Sequence, residues 1–429
     1  MKKLPLNNLE KAWIESSMTL LASQIGTARF FDSDIILPRQ VKGVPIRIEN
    51  LAEIKLAFQE QLPSPTRPLA IARNASMRND QTYQLDGETL YFSNRLLEND
   101  QDAIATLLHQ LSRNWFLQQS GNSWSPDELD WYSDLLPVYL GWGIFGANTT
   151  VFSRSDRIGE FENWQVDRHR ILTSRMFGYG IALFAWGHNE RAPDWHRLLR
   201  PDAKIPFQRM LKYLWKTDDS YFQPATLTPP AHDNSRDLYR KLESSSNSIL
   251  ISTLWEIQSR GVFETDFIAP IANCLRHRDP CVRYEALNTL GLGKTLPDAV
   301  IQRVARLMSD SSEQVRAAAV TLIGSLQTRE NEDVYGVGHL LLDTCEIVVK
   351  ASADAITSLA PSDEYLSKNL QKALRKSLVH CNFELARALV RASVSLKADT
   401  TKTFDEFFKD DPEMRNQARV IMEQETDQC

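Results

Sequence analysis

In "SSEQVRAAAVTLIGSL" (Ser311–Leu326) the apolar side chains stand at Val315, Ala318, Ala319, Leu322, Ile323 and Leu326. Steps of three, four, seven, eight and eleven place them on one face of a helix, so the pattern predicts an amphipathic helix with a buried stripe. The same pattern occurs 33 residues earlier in "DPCVRYEALNTLGLG" (Asp279–Gly293): Val282 pairs with Val315, Arg283 with Arg316, Ala286 with Ala319 and Leu290 with Ile323. A further step back reaches Ile249, Thr253, Leu254 and Ile257 in "SILISTLWEIQ". Between the copies lie shorter helical patterns such as Ala299–Met308, which gives two helices per period. Asp279-Pro280 supplies an N-cap followed by proline at the first helical position, where its missing N–H costs nothing.

These residues resemble the HEAT-repeat family: a first helix, a turn opening on aspartate, then a second helix opening Val-Arg with alanine one turn later. The resemblance implies ladders of aspartate and arginine between adjacent repeats, with Asp279, Arg283, Asp310 and Arg316 in those places. It also implies close helix contacts at the alanines. A copy in Asp343–Ala360 fits with Val349-Lys350, in a register ambiguous by one residue. Asn382–Ala392 and Asp411–Met422 read as decayed terminal copies. The first copy carries Leu250 where the ladder arginine belongs, as a capping repeat does.

Toward the N-terminus the pattern is mixed. Leu9–Gly26 is expected to be a helix with Gly26 near its C-cap, and Pro68–Arg73 a strand. Thr82–Ser93 is expected to be a hairpin turning on Asp86-Gly87 with type I′ geometry. Further helices are expected from near Asp100, over about Asp127–Ala147, over Arg175–Trp186 and over Pro206–Trp215. Between them and the repeats, residues 223–248 are rich in proline and serine with weak periodicity, and read as a linker. The expected organisation is an α+β domain over 1–222, that linker, and an all-α HEAT-like solenoid over 249–429.

Composition bounds the function without choosing it. A net charge of −6 and no long basic block argue against a dedicated nucleic-acid or anionic-membrane binder. The longest apolar runs, Leu135–Ala147 and Met176–Trp186, are too short to span a membrane. "MKKLPLNNLEKAW" has no apolar stretch after its lysines, so no secretion signal is read there and a cytoplasmic address is expected. The five cysteines (Cys274, Cys281, Cys345, Cys381, Cys429) form no CxxC pair and read as free or buried thiols.

The chemistry-bearing candidate is "TLLHQLSRNWF" (Thr106–Phe116). A zinc peptidase helix reads His-Glu-x-x-His, because only the i, i+4 spacing aims both imidazoles at one metal, and the glutamate takes the proton of the bound water. Here His109 is in place, Gln110 stands for the glutamate, and Arg113 stands for the second histidine. Glutamine has no ionisable carboxylate, and a guanidinium sets a permanent positive charge beside the ion's position. Ile104, Leu107, Leu108, Leu111 and Trp115 equally describe an ordinary core helix. Downstream, Asp130-x-x-x-Asp134 resembles the Glu-x-x-x-Asp element that supplies the third ligand in gluzincin-type peptidases, with aspartate for glutamate. Arg113 is expected to reach Asp130 or Asp134 and fill the position of the metal.

From Leu9 to Phe222 the chain resembles an uncharacterised bacterial family with a gluzincin-like N-terminal domain, sometimes followed by HEAT-like repeats. The resemblance rests on "EKAWIESSMTLLASQIGTARFFDSDIILP", "AIATLLHQLSRNWFL", "YSDLLPVYLGWGIFGAN", "MFGYGIALFAW" and "FQRMLKYLWKTDDSYF". It implies a zincin-like fold whose metal site is here degenerate at every position except His109 and Asp134. The other constellations carry less. His169, His188, His196 and His232 are scattered; Trp164, Trp186, Trp195 and Trp215 read as helix packing; Gly178-x-Gly180 reads as close helix contact. The sequence therefore reads as a non-enzymatic interaction protein without cofactor or metal, which takes a protein partner on the concave face of its solenoid. The rival from another class is a metal-dependent hydrolase using His109, Asp130 and a further ligand. A third reading, nucleic-acid binding, needs basic residues gathered on the solenoid.

Overall fold

The computed structural model describes residues 6–38, 46–64, 66–77, 82–119, 124–158, 161–168, 171–224, 235–260, 263–293, 295–326, 331–359, 364–380, 382–396 and 420. The chain divides into two units, Met1–Asn234 and Ser235–Cys429.

The first unit opens with α1 (Asn8–Ile25), started by a capping box between Asn7 and Glu10 and stopped at Gly26, whose φ is +98°. The short α2 (Thr27–Asp32) and α3 (Ile48–Glu60) follow. A small mixed sheet comes next: β1 (Ala70–Arg73), β2 (Tyr83–Asp86) and β3 (Thr89–Phe92) in the order β1-β3-β2, with β1 parallel and β2 antiparallel to the central strand. Asp86 pairs with Thr89, so the two loop residues are Gly87 and Glu88 rather than Asp86 and Gly87. Only Gly87 has a positive φ, +56°, whereas the expected type I′ turn needs it at both loop residues.

Then come α4 (Asn94–Leu97), α5 (Asp100–Phe116), α6 (Pro126–Tyr139) and α7 (Gly143–Asn148). The single helix expected over Asp127–Ala147 is thus two. Pro137 removes a backbone donor near the end of α6, and Gly141 turns the chain at φ +84°. Any Cβ at Gly141 would lie 2.2 Å from the carbonyl oxygen of Asp34, so glycine is required there. The antiparallel pair β4 (Val151–Ile158) and β5 (Phe161–Arg168) was not expected, and it puts Trp164 on a strand rather than in helix packing. Two long helices close the unit, α8 (Ser174–Gly187) and α9 (Pro201–Thr217). Gly178 lets them meet: a Cβ there would lie 2.7 Å from the Ala203 carbonyl oxygen. The core gathers Ile104, Leu107, Leu108, Leu111 and Trp115 of α5 with apolar side chains of α1, α6, α8 and α9.

The second unit is helical throughout its described residues. It contains α10 (Ser235–Leu242), α11 (Asn247–Arg260), α12 (Ile268–Cys274), α13 (Pro280–Leu290), α14 (Asp298–Leu307), α15 (Glu313–Ser325), α16 (Asn331–Leu340), α17 (Glu346–Leu359), α18 (Glu364–Val379) and α19 (Phe383–Ser395). Each even-numbered helix packs on the odd-numbered one that follows it, and α11, α13, α15, α17 and α19 pack in series. Of the linker expected at 223–248, residues 225–234 lie outside the described residues. Ser235–Leu242 is helix α10, whose Leu238 and Leu242 are buried, so the serines after it form a short turn. The expected copy at Asp411–Met422 lies outside the described residues apart from Val420.

The 33-residue register coincides with burial. Val282, Val315 and Val348 are all fully buried, as are Ala286, Ala319 and Ser352. The valine position of the third copy is therefore Val348 rather than Val349, which removes the one-residue ambiguity and leaves Val349 at the ladder position. At Gly324 a Cβ would stand 2.7 Å from that of Ala355, so α15 and α17 touch at backbone distance.

Candidate functional site

In the first unit, α5 and α6 lie side by side and bring four of the five chemistry-bearing candidates, His109, Arg113, Asp130 and Asp134, to one seam. α5 begins at Asn99, whose side chain caps it, and exposes its polar edge at His109 and Arg113. His109 Nδ1 lies 2.8 Å from Asp134 Oδ1, and its Nε2 lies 3.7 Å from Asp130 Oδ1. Arg113 donates to the same Asp130 oxygen. The neighbouring His109 imidazole holds the Asp130 carboxyl below the usual range; burial opposes this and the Arg113 charge assists it. Gln110 points elsewhere, its amide 3.4 Å from the Tyr83 hydroxyl on β2.

Asp134 is the buried anchor, with its side chain 2% exposed. Its second oxygen accepts the backbone N–H groups of Ile171 (2.9 Å) and Leu172 (3.2 Å), the residues that lead into α8. The carboxylate thus pins that segment to α6 while orienting the imidazole. A cavity of about 10 Å³ lies beside it, bordered by Leu108, His109, Asp134, Gly143, Gly146 and Phe177. That is room for about one water molecule. A zinc ion does not fit this donor set. The sole histidine offers it one nitrogen, Nε2, with Asp134 on Nδ1 as a carboxylate sits behind a metal-bound histidine, but no second imidazole joins it and the Asp130 oxygen facing Nε2 is shared with a guanidinium. Among the described residues no group of three or more histidine, cysteine, aspartate or glutamate side chains is placed to hold a metal.

The remaining candidates are dispersed. His188 stacks on Phe184 and packs against Phe30. His196 Nδ1 lies 2.6 Å from the Pro193 carbonyl. Trp195 and Trp215 both donate to Glu190, and Arg191 covers the Trp215 ring. His169 and His232 lie outside the described residues. Cys274, Cys281 and Cys345 are free thiols; Cys381 and Cys429 lie outside the described residues.

One buried polar cluster has no sequence signature. Lys11 and Glu15 on α1, an ordinary surface pair by their spacing, are both buried and 2.9 Å apart. Glu15 also accepts from the Tyr179 hydroxyl and from Tyr221 N, while Lys11 donates to the Asp219 carbonyl. Burial and the Glu15 charge push the Tyr179 phenol well above its ordinary value, so it stays a donor. The cluster ties α1 to α8 and to the segment after α9.

In the second unit the arginines run from repeat to repeat. Arg283 grips Asp310 with two hydrogen bonds of 2.9 and 2.7 Å, and Arg316 grips Asp343 with two of 2.9 Å. Each arginine also donates to backbone carbonyls of its own turn, at His277 and at Asp310 respectively. Each aspartate also accepts the backbone N–H two residues on, Asp310 from Ser312 and Asp343 from Cys345, in the turn that leads into the next odd-numbered helix. Asp279 accepts instead from Asn247, which extends the ladder into the first copy without an arginine.

Burial pushes Asp310 and Asp343 up, but hydrogen bonds from the arginines and backbone N–H groups outweigh it and hold both below the ordinary 3.8. A carboxyl depressed on folding contributes stability that is present above its unfolded value and lost as pH falls through the folded one. Melting of the wild type should therefore decline as pH drops through 4 and below. Asp310→Asn should start lower at neutral pH and show a shallower acid slope in thermal melts.

No curated protein matches the chain. Among solved structures, the chain is similar to that of Cex1p at 13% identity, over 99% of this chain and 89% of that one, with a TM-score of 0.34. It is similar to an engineered protein at 13% identity, over 98% and 99%, with a TM-score of 0.34. A designed armadillo repeat protein in complex with the peptide (KR)4 matches at 18% identity, over 45% of this chain and 100% of that one, with a TM-score of 0.33. Residues 268–360 match the family of HEAT repeats. That span runs from α12 to the end of α17 and contains both arginine–aspartate rungs, so the second unit carries HEAT repeats.

Proposed function

We propose that the protein is a non-catalytic, cytoplasmic interaction scaffold whose HEAT repeats supply the partner-binding surface. In this reading the first unit is a degenerate zincin-like domain. The observation that carries the reading is the serial packing of α11, α13, α15, α17 and α19, cross-linked by the ladder. Stacked repeats build a long continuous surface from local contacts, the form that suits an extended protein partner. The seam between α5 and α6 supports the absence of catalysis. Its only imidazole is fixed between two carboxylates, and the guanidinium of Arg113 stands where a second ligand is needed. Asp130 and Arg113 are each about one-third exposed, 36% and 31%. Arg113→Ala should then cost under about 1 kcal/mol in denaturant unfolding.

The test of the scaffold reading is capture of partners by the full chain, with cross-linking and mass spectrometry to locate the contacts. Cross-links concentrated on 235–396 and reproduced with the purified partner are expected. Contacts confined to 6–224 would contradict the reading.

A further inference from the structure

The even-numbered helices of the second unit carry a charge pattern that the ladder does not use. Four stretches, 268–278, 301–308, 334–342 and 365–379, carry eight lysines and arginines, two histidines and no aspartate or glutamate, in a chain of net charge −6; the acidic residues Asp298, Glu332, Asp333 and Glu364 of the same helices precede them. Within them Arg276, Arg306, His339 and Lys372 recur at intervals of 30, 33 and 33 residues, one per repeat, and all four are exposed. Arg276, Arg306 and Lys372 form no ion pair with a described residue, whereas Arg283 and Arg316 are held by aspartates. Beside the row, Tyr335 of α16 and Tyr365 of α18 are 47% and 41% exposed and touch edge to face, with ring centroids 5.8 Å apart. Exposed tyrosine and arginine are among the side chains most enriched at binding hot spots.

Resting on the scaffold reading, we propose that this row is a docking strip for an extended acidic polypeptide, with Tyr335 and Tyr365 seating an apolar side chain of that segment. The odd-numbered helices pack in series, about 8–10 Å apart, and each carries an even-numbered one, which sets a similar interval along the row. An extended chain advances about 3.3–3.6 Å per residue, so a carboxylate at every third position meets one position of the row per repeat, a cation at Arg276, Arg306 and Lys372 and an imidazole at His339. Complementary charge suits such a partner and makes its binding fall with ionic strength.

The test uses the full chain and a fluorescent glutamate-rich peptide of about twelve residues, enough to span the four positions. Anisotropy should show binding at low ionic strength that weakens about tenfold or more when Arg306→Glu and Lys372→Glu are combined. Both positions are exposed, so the double variant should melt as the wild type does; Arg306→Lys with Lys372→Arg should bind normally. Reversal in the first unit, by Arg209→Glu with Lys212→Glu, should leave binding unchanged. Equal affinity of the strip variant and wild type would overturn the proposal. So would tighter binding of a single-stranded oligonucleotide of equal charge, lost in the strip variant, which would assign the row to nucleic acid. If the strip variant still captures cellular partners through 235–396, the strip fails while the scaffold reading stands.

Discussion

Ala319→Asp should destabilise the second unit by about 2–4 kcal/mol. Ala319 is fully buried on α15, one turn after the ladder arginine, in the series of helices where α15 meets α13 and α17. An aspartate there has to desolvate a carboxylate in a contact closed to water. The only guanidinium one turn away, that of Arg316, is already committed to Asp343. The alternative is to separate the helices, which opens cavities along both neighbours. Because stacked repeats stabilise one another through nearest-neighbour contacts, the damage should spread beyond one helix. Differential scanning calorimetry should show the transition of this unit lowered and broadened. A melt identical to wild type would remove Ala319 from the repeat contact.

Asp134→Ala should be the most damaging single change in the first unit, about 3–5 kcal/mol by denaturant unfolding. The carboxylate serves His109 Nδ1, Ile171 N and Leu172 N together, and truncation takes the acceptor from all three, leaving the fully buried Leu172 N–H without a partner. Asp134→Asn should cost less, about 1–2 kcal/mol, because its carbonyl oxygen still accepts the two N–H groups. A loss below about 0.5 kcal/mol for the alanine variant would show that the segment entering α8 is held by other contacts.

The two units were legible in the sequence to different degrees, for physical reasons. In the repeats the same small or apolar side chain is needed at the same height of each packed helix, so Val282 and Val315, or Ala286 and Ala319, stand out by spacing alone. Exceptions blur where the rule relaxes. Val349 replaces an arginine once the ladder ends, and the register of that copy became readable only from the burial of Val348. In the first unit the α5 stripe was readable, but the division of α6 from α7 depends on a backbone approach to Asp34 that no local pattern encodes. The β4–β5 pair carries charged residues on both of its alternating faces, so its period-two signal is weak. Lys11 and Glu15 have the spacing of a solvated helix pair; their burial is imposed by Tyr179, Asp219 and Tyr221, which lie more than 160 residues away in sequence. For the candidate site, residue identities at 109, 110, 113, 130 and 134 were enough to raise the question. The structural role of Asp134 toward Ile171 and Leu172 was not visible, because backbone N–H groups leave no trace in residue type.

The proposed scaffold carries in its sequence the outline of a zinc peptidase. Elemental analysis of the purified full chain after equilibration with zinc, paired with a peptide-hydrolysis assay, tests the scaffold reading most directly. No stoichiometric zinc and no hydrolysis are expected, with His109→Ala indistinguishable from wild type in both measurements. One zinc per chain, lost together with peptide cleavage on His109→Ala, would contradict it and establish the metal-dependent hydrolase.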